Sequence, residues 1–204
     1  MRAMAPMVEA APHEPIALRP GDVLLVVDVQ HDFLPGGALG VVDGDRVIGP
    51  VNRAIERFAG RPVLLTRDWH PPGHCSFRAQ GGPWPPHCVA GSRGAEFSDE
   101  LRIPPGTGVV SKATQVDRDA YSAFAGTDLG LRLRALNAKR LFIAGLATDY
   151  CVVNTVVDAV AAGFEPVVLL DGIAAVDVQP GDGERAIERM RELGARFAVS
   201  TDLA

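Results

Sequence analysis

The sequence has little cysteine, no long apolar run and no recognisable leader, and each shortage excludes a class of protein. Three cysteines among 204 residues cannot all pair with one another, and so few fit a reducing compartment, so we expect a cytoplasmic protein. No apolar run approaches the roughly 20 residues that a membrane-spanning helix needs. Residues 1–20 lack a long apolar core and a clear cleavage site, which argues against a secretory signal. We expect them to be a loosely ordered N-terminal segment.

The chain also has fewer basic than acidic residues. The chain has 20 Lys and Arg against 25 Asp and Glu, a formal net charge of −5, which argues against binding to nucleic acid or to an anionic membrane. Its length is enough to bury a core without a disulfide or a structural metal. The sequence shows neither an internal repeat nor a linker, so we expect a single domain over residues 21–204.

Short apolar runs alternate with amphipathic segments along the chain. The runs are typical of buried strands in a parallel sheet, and the segments between them have the apolar spacing of helices. Predicted strands occupy 22–30, 61–68, 106–113, 139–147, 165–173 and 196–201. Predicted helices occupy 45–59, 128–137, 148–164 and 182–195. The alternation predicts an α/β fold, a doubly wound three-layer α/β/α domain with a mostly parallel six-stranded sheet.

Ionisable residues stand where the predicted strands end. Asp28, Asp68 and Lys112 close the first three strands, and the fourth runs into Cys151. The carboxyl ends of parallel strands share one edge of the sheet, where ligands bind in such folds. A charge in a buried strand is costly unless it is paired. We therefore expect these four side chains to meet at one site.

Cys151 is the candidate nucleophile of that site. Thr148 is the predicted N-cap of the following helix, which places Cys151 in the first turn, where the helix dipole lowers a thiol pKa. Asp28 would then take the thiol proton and return it to a leaving amine, while Lys112 keeps Asp28 ionised. The alternatives are structural: a small buried cysteine, a carboxylate that caps a neighbouring loop, and an exposed lysine.

Three of the five histidines lie in the long Pro- and Gly-rich segment 69–106. His70, His74 and His87, with Asp68, suit Zn²⁺, Fe²⁺ or Mn²⁺, and their spacing is not that of a structural zinc finger. Neighbours in an extended loop point opposite ways, so Cys75 and Cys88 are predicted to pack in the loop. The alternative is a polar loop that hydrogen-bonds to itself.

Six segments, taken in order, resemble the nicotinamidase (pyrazinamidase) branch of the isochorismatase-like cysteine hydrolases. They are VVDVQHDF, DWHPPGH, WPPHCV, the lysine of VVSKA, DAYSAF and GLATDYCV. The resemblance covers nearly the whole chain from about residue 22 to 200, and the ordered set is far more specific than any one segment.

The resemblance implies a role for each matching residue. It implies a catalytic triad of Asp28, Lys112 and Cys151. It implies one divalent ion, Zn²⁺ before Fe²⁺ or Mn²⁺, held by Asp68, His70 and His87, with His74 as a further ligand or a supporting residue. It implies a cis peptide between Leu146 and Ala147 that aims the backbone N–H of Ala147, with that of Cys151, into an oxyanion hole. Substrate contacts are implied for Phe33, Trp84, Tyr121 and Leu146.

The reaction that the resemblance implies is hydrolysis of nicotinamide to nicotinate and ammonia through a thioester, with pyrazinamide as a further substrate. One alternative is a metal-free hydrolase of the same superfamily that acts on a carbamoyl compound or a vinyl ether. Another is a metal-dependent binding module without catalysis. The expected partner is a small molecule; a homo-oligomer is left open, since the family contains more than one oligomeric state.

Overall fold

The computed structural model describes residues 15–204, and these residues form one parallel sheet with helices on both faces. The strands are β1 (Asp22–Val27), β2 (Val63–Asp68), β3 (Gly108–Lys112), β4 (Arg140–Leu146), β5 (Glu165–Ala174) and β6 (Arg196–Ala198). The helices are α1 (Ile48–Arg57), α2 (Leu129–Ala135), α3 (Val153–Ala161) and α4 (Asp182–Glu192). The predicted three-layer α/β fold is confirmed.

The central strand β1 is buried on both faces, as a strand between two helical layers must be. Leu24 and Val26 pack in one core with α1, whereas Val23, Leu25 and Val27 pack in the other with α2, α3 and α4. The alternation follows from the two-residue period of a strand. It explains why the sequence here is a continuous apolar run.

The strand order is β3-β2-β1-β4-β5-β6. Strands β2 and β3 thus lie on one side of β1, and β4, β5 and β6 lie on its other side. The order reverses between β1 and β4, and such a reversal leaves a crevice outside the carboxyl ends of the two strands. Asp28 follows β1 directly, and Cys151 lies just after β4. The topology therefore places these two residues beside the same crevice.

Gly145, near the end of β4, lets that strand approach β1 closely. Its φ is +123°, and a Cβ at this position would lie 1.9 Å from the carbonyl oxygen of Val27. No residue with a side chain could occupy this position without moving one of the strands. The pairing of β4 with β5 also shifts register here, between Ile143 and Gly145.

Some element ends differ from the sequence prediction. Strand β1 ends at Val27 because Asp28 turns the chain into the left-handed region, with φ 50°. The segment after β4 starts as a π-helical turn, Thr148–Val152, before α3 begins. Ala147, not Thr148, is the residue at its N-cap, and no side chain caps it. The predicted Thr148 cap is therefore wrong.

Of the predicted loosely ordered segment 1–20, residues 1–14 lie outside the described part of the chain. Ile16 pairs with Leu203, and its N–H donates to the carbonyl of Asp202 at 2.7 Å. The described start of the chain is thus tied to its end. In residues 15–204 no helix is both long and apolar enough to cross a bilayer.

Candidate active site

Lys112 lies at the centre of a buried cluster at the carboxyl edge of the sheet. Its Nζ is 3.0 Å from Asp28 Oδ2, 2.5 Å from Asp68 Oδ1 and 3.3 Å from Cys151 Sγ. It also donates to the carbonyl of Ala120 at 3.2 Å. Burial alone would lower the pKa of this lysine, but the two carboxylates outweigh it and raise the pKa well above the ordinary value. Lys112 is therefore a permanent cation between two acids.

Asp28 is fully buried and faces the thiol. Asp28, Asp68 and Cys151 each offer an atom that lies within 4.8 Å of the other two. Oδ1 of Asp28 accepts a hydrogen bond from Thr66 Oγ1 at 2.6 Å, whereas Oδ2 has only the ion-pair contact with Lys112. Burial raises the pKa of Asp28, and the lysine only partly opposes it. A carboxylate of raised pKa with one free oxygen suits proton transfer.

The Cys151 thiol differs from the sequence expectation in its acidity. It is buried within the π-helical turn Thr148–Val152, and burial together with the two nearby carboxylates raises its pKa well above the ordinary value. Lys112 opposes this without reversing it. The predicted lowering by the helix dipole is wrong for the resting site, because desolvation of a buried thiolate is the larger effect. The thiol must lose its proton to a base as it reacts.

Asp68, His70 and His87 form a second cluster that shares Asp68 with the first. Each offers one ligand atom, and these atoms lie within 4.8 Å of one another in a buried setting. The Nδ1 of His87 is 2.8 Å from the carbonyl of Pro85, so it carries the proton and leaves Nε2 with a lone pair. Burial lowers the pKa of His87, which keeps the ring neutral, as a ligand must be.

His70 provides the observation that fits a metal ion. Both of its ring nitrogens are buried, and neither has a hydrogen-bond partner in the described part of the chain. Leaving buried polar atoms unpaired is costly, so a native structure normally provides a partner. A carboxylate and two neutral imidazoles are also a donor set that Zn²⁺ accepts. The residues present therefore fit the expected divalent ion.

His74 lies beside this cluster but has both ring nitrogens engaged. Nδ1 is 2.8 Å from Ser76 Oγ, and Nε2 is 3.1 Å from the carbonyl of Arg118. Its ring packs against that of His70, with centroids 4.3 Å apart. Of the two roles that the resemblance left open for His74, these contacts favour the supporting one.

Gln30 holds the backbone of Asp68, a role that the sequence analysis missed. Its side-chain amide accepts from the Asp68 N–H at 2.8 Å and donates to the Asp68 carbonyl at 2.8 Å. It also donates to the carbonyl of Ala95 at 2.9 Å. Gln30 is fully buried, and a buried amide must find partners. Its place directly after the apolar run of β1 was the available signal.

A narrow cavity opens directly onto Cys151. Three of the predicted substrate residues, Phe33, Trp84 and Tyr121, line it together with His87. Trp84 Nε1 donates to the Tyr121 hydroxyl at 3.0 Å, which fixes both rings. Leu146, the fourth, is fully buried in the core and does not line the cavity. We therefore correct the prediction that Leu146 contacts the substrate. Leu146 is the last residue of β4, and its side chain packs in the core.

Three further residues of the cavity were not predicted: Leu39, Tyr150 and Val176. The Tyr150 ring lies 5.1 Å from that of Trp84 and 5.5 Å from that of Tyr121, so the three rings form one aromatic wall. Its position next to Cys151 was a usable signal. Leu39 and Val176 come from distant loops, and nothing in their local sequence marks them.

The peptide between Leu146 and Ala147 is cis, as the resemblance implied. Ala147 and Cys151 both line the cavity. Among the hydrogen bonds of residues 15–204, none is donated by the Ala147 N–H. This donor is therefore free to bind an oxygen in the cavity, whereas its carbonyl accepts from Tyr150 and Val152.

Comparison with known proteins places this site in a family. The isochorismatase domain model matches residues 22–204. The nicotinamidase of Escherichia coli strain K12 is 36% identical, over 90% of this chain and 97% of the relative. Among solved structures, the pyrazinamidase of Pyrococcus horikoshii in complex with zinc is 47% identical, with a TM-score of 0.84 over 88% of this chain and 99% of that one. PnC1 of L. infantum in complex with nicotinate is 36% identical, with a TM-score of 0.88 over 93% and 98%.

The isochorismatase domain match covers the whole sheet and the loops that form the cavity, and the identities to the E. coli and P. horikoshii proteins are well above those that show a shared fold alone. The chain belongs to the isochorismatase family, in the branch that contains the nicotinamidases and pyrazinamidases.

Proposed function

We propose that the protein is a nicotinamidase, a cysteine amidohydrolase that converts nicotinamide to nicotinate and ammonia. The observation that carries the proposal is the placement of the buried Cys151 thiol beside Asp28 and Lys112 at the end of an aromatic cavity. The named activities of the relatives and the nicotinate held by the L. infantum protein support the same substrate class.

The first half of the reaction forms a thioester. Cys151 Sγ attacks the carboxamide carbon while its proton passes to Asp28, which has a carboxylate oxygen within 4.8 Å of the sulfur. The carbonyl electrons move to oxygen, and the backbone N–H groups of Ala147 and Cys151 are proposed to hold that oxyanion, at about 3 kcal/mol for each donor. The intermediate then collapses, the C–N bond breaks, and Asp28 gives its proton to the leaving nitrogen as ammonia.

The second half releases the acid. Asp28, again ionised, takes a proton from water as the water oxygen attacks the thioester carbon. The C–S bond breaks, the product leaves as the carboxylic acid and gives its proton to the solvent to become nicotinate, and the sulfur recovers the proton that Asp28 took from water. Lys112 keeps a fixed positive charge 3.0 Å from Asp28 and 3.3 Å from the sulfur throughout, which stabilises each anion as it forms.

The cavity is built for a flat ring. Phe33 and the wall of Trp84, Tyr121 and Tyr150 all line it and provide aromatic faces for a pyridine or pyrazine. Asp68, His70 and His87 are proposed to hold the divalent ion, which would supply a Lewis-acidic anchor for the ring nitrogen. Zn²⁺ is the proposed ion, since the donor set accepts it and the similar P. horikoshii protein binds zinc.

Ammonia release from nicotinamide and from pyrazinamide by the purified protein tests the proposal. We expect turnover of both, loss of turnover after the metal is chelated, and an enzyme-bound acyl group detectable by mass spectrometry after rapid acid quenching. Turnover of neither amide would refute the assignment. Retention of full activity by a protein shown to be free of metal would refute the role of the ion.

A further inference from the structure

One wall of the cavity is fixed by a residue beside the nucleophile. Val176 lines the cavity from the loop that follows β5. Its N–H donates to Asp149 Oδ1 at 2.9 Å, and the next N–H, that of Asp177, donates to Asp149 Oδ2 at 2.8 Å. Asp149 lies two residues before Cys151 in the π-helical turn. A single carboxylate therefore ties the turn that carries Cys151 to the loop that carries Val176.

The other side of this loop is fixed as well. Asp177 has φ 52° and accepts from the N–H of Gly183, near the start of α4, at 2.8 Å. Gly183 is packed so closely that a Cβ there would lie 2.6 Å from the Cβ of Ala175. Val176 is half-buried and packs against the core as well as the cavity. It therefore has little freedom to move away from a ring that carries an extra substituent.

Val176 is also one of the few aliphatic residues in a cavity lined mainly by aromatic side chains. An aliphatic side chain on a backbone held in this way limits the size of the ring, since it cannot hydrogen-bond to a substituent and its backbone cannot easily retreat. A hydrophobic pocket discriminates a single methylene by about 10- to 200-fold. This wall is therefore well placed to select among ring-substituted amides.

We propose that Val176 determines which ring substituents the substrate can carry, and that Asp149 is the positioning residue that holds Val176 in place. The inference rests on the proposed hydrolysis of nicotinamide and deepens it. It identifies the substrate class as unsubstituted or sparsely substituted pyridine and pyrazine carboxamides, and it assigns Asp149 no contact with the reacting atoms.

The test compares nicotinamide with its four singly ring-methylated derivatives, using the metal-loaded protein. In Val176→Ala we expect the ratio of kcat/KM for a methylated amide to that for nicotinamide to rise at least about 10-fold for one ring position. In Val176→Ile the ratio at the same position should fall. Asp149→Asn can accept only one of the two N–H groups, so it should shift the ratio in the direction of Val176→Ala by a smaller factor.

Asp158→Asn is the matched control for Asp149→Asn. It makes the same charge change in the adjoining helix α3, and the Asp158 side chain makes no hydrogen bond with the described residues. We expect it to leave the ratio unchanged. The effect of Asp149→Asn on the kcat/KM ratio should come from KM more than from kcat, and the rate of Cys151 alkylation should stay unchanged. A general loosening of the turn would instead lower kcat and alter the alkylation rate.

Binding of the same amides to Cys151→Ala, with and without Val176→Ala, separates this inference from the proposed function. Altered ring preference in binding, without hydrolysis by the wild-type protein, would refute nicotinamidase activity and support the role of Val176. Ring preference that is the same in Val176→Ala and wild type, in turnover and in binding, would overturn the inference. Absence of any binding would overturn both.

Discussion

The Nζ of Lys112 lies 2.5 Å from Oδ1 of Asp68, so the lysine of the proposed triad is bonded directly to a proposed metal ligand. Burial opposes ionisation of Asp68, but Lys112 and His70 outweigh it and lower its pKa below the ordinary range. Oδ1 of this carboxylate thus contacts the Lys112 cation, while its Oδ2 lies 3.6 Å from His70 Nε2 in the proposed metal cluster. The catalytic cluster and the metal cluster form one electrostatic unit.

Removing the Lys112 cation should destabilise the protein. Lys112→Met leaves two buried carboxylates without their counter-charge, and loss of one partner from a buried ion pair costs about 3 to 5 kcal/mol. The free energy of unfolding in urea measures this. Lys139→Met, at the exposed position of the chain's other lysine, should change stability by no more than about 0.5 kcal/mol. Equal effects of the two substitutions would contradict the buried charge network.

Metal affinity should depend on His70 far more than on the histidines outside the proposed ligand set. His70→Ala removes a proposed ligand and should weaken binding of Zn²⁺ by more than about 100-fold, whereas loss of His74, proposed as a supporting residue, should cost about 10- to 100-fold. Competition with a chromogenic chelator provides both constants. His31→Ala, outside the cluster, is the control and should bind Zn²⁺ as the wild type does. If a His74 variant bound Zn²⁺ more weakly than the His70 variant does, the ligand role would be assigned to His74.

Turnover should depend on Cys151 alone among the three cysteines. Cys151→Ala should lower kcat to the background of the assay, since no other group described here can form the thioester, while metal content and the circular dichroism spectrum stay unchanged. Cys75→Ala is the control, because Cys75 is half-buried and outside both clusters, and it should keep wild-type kcat. Substantial turnover by Cys151→Ala would show that the sulfur is not the nucleophile.

The acid side of the pH–rate profile should move when Thr66 is changed. Asp28 must be ionised to accept the thiol proton, so activity is present above its pKa and is lost as the pH falls through it. Burial already raises that pKa above the ordinary carboxylate value, and the hydrogen bond from Thr66 opposes the rise. Thr66→Val should therefore shift the acid limb of kcat/KM to higher pH.

Thr107→Val is the control for Thr66→Val, since Thr107 bonds only to the carbonyl of Pro104 at the other end of β3. It should leave the acid limb in place. An acid limb that stays fixed in Thr66→Val, or moves to lower pH, would mean that Asp28 is not the group that titrates.

The sheet and the ends of its strands were predictable because they depend on local patterns. The apolar runs that became β1 and β2 each stop at an acid, and β3 ends at Lys112 as predicted. Parallel strands bring such ends to one edge whatever the details of the loops. The fold class and the meeting of Asp28, Asp68, Lys112 and Cys151 could thus be read from spacing and residue type.

The other features of the site depend on tertiary contacts that leave no pattern in the local sequence. Leu39 and Val176 reach the cavity from loops far apart in sequence, and Leu146 turns into the core because β4 extends that far. The acidity of Cys151 depends on how deeply it is buried, which a sequence cannot give, so the dipole argument predicted the wrong direction. The position of Gln30 just past β1 was a signal, but its role was overlooked because its partners are backbone atoms of Asp68, whose placement the local sequence does not give.

Gly145 has a hydrogen atom in place of a side chain. It lies where β4, the strand before Cys151, approaches β1, the strand before Asp28. Its missing methyl group would fall 1.9 Å from the oxygen of Val27, the residue directly before Asp28. The distance across which we propose that the proton is transferred, from Cys151 to Asp28, thus depends on Gly145, a residue that belongs to neither the proposed triad nor the proposed metal site. A Cβ at position 145 would push β4 away from β1 and so separate Cys151 from Asp28. Every proposed catalytic residue would still be present in the sequence.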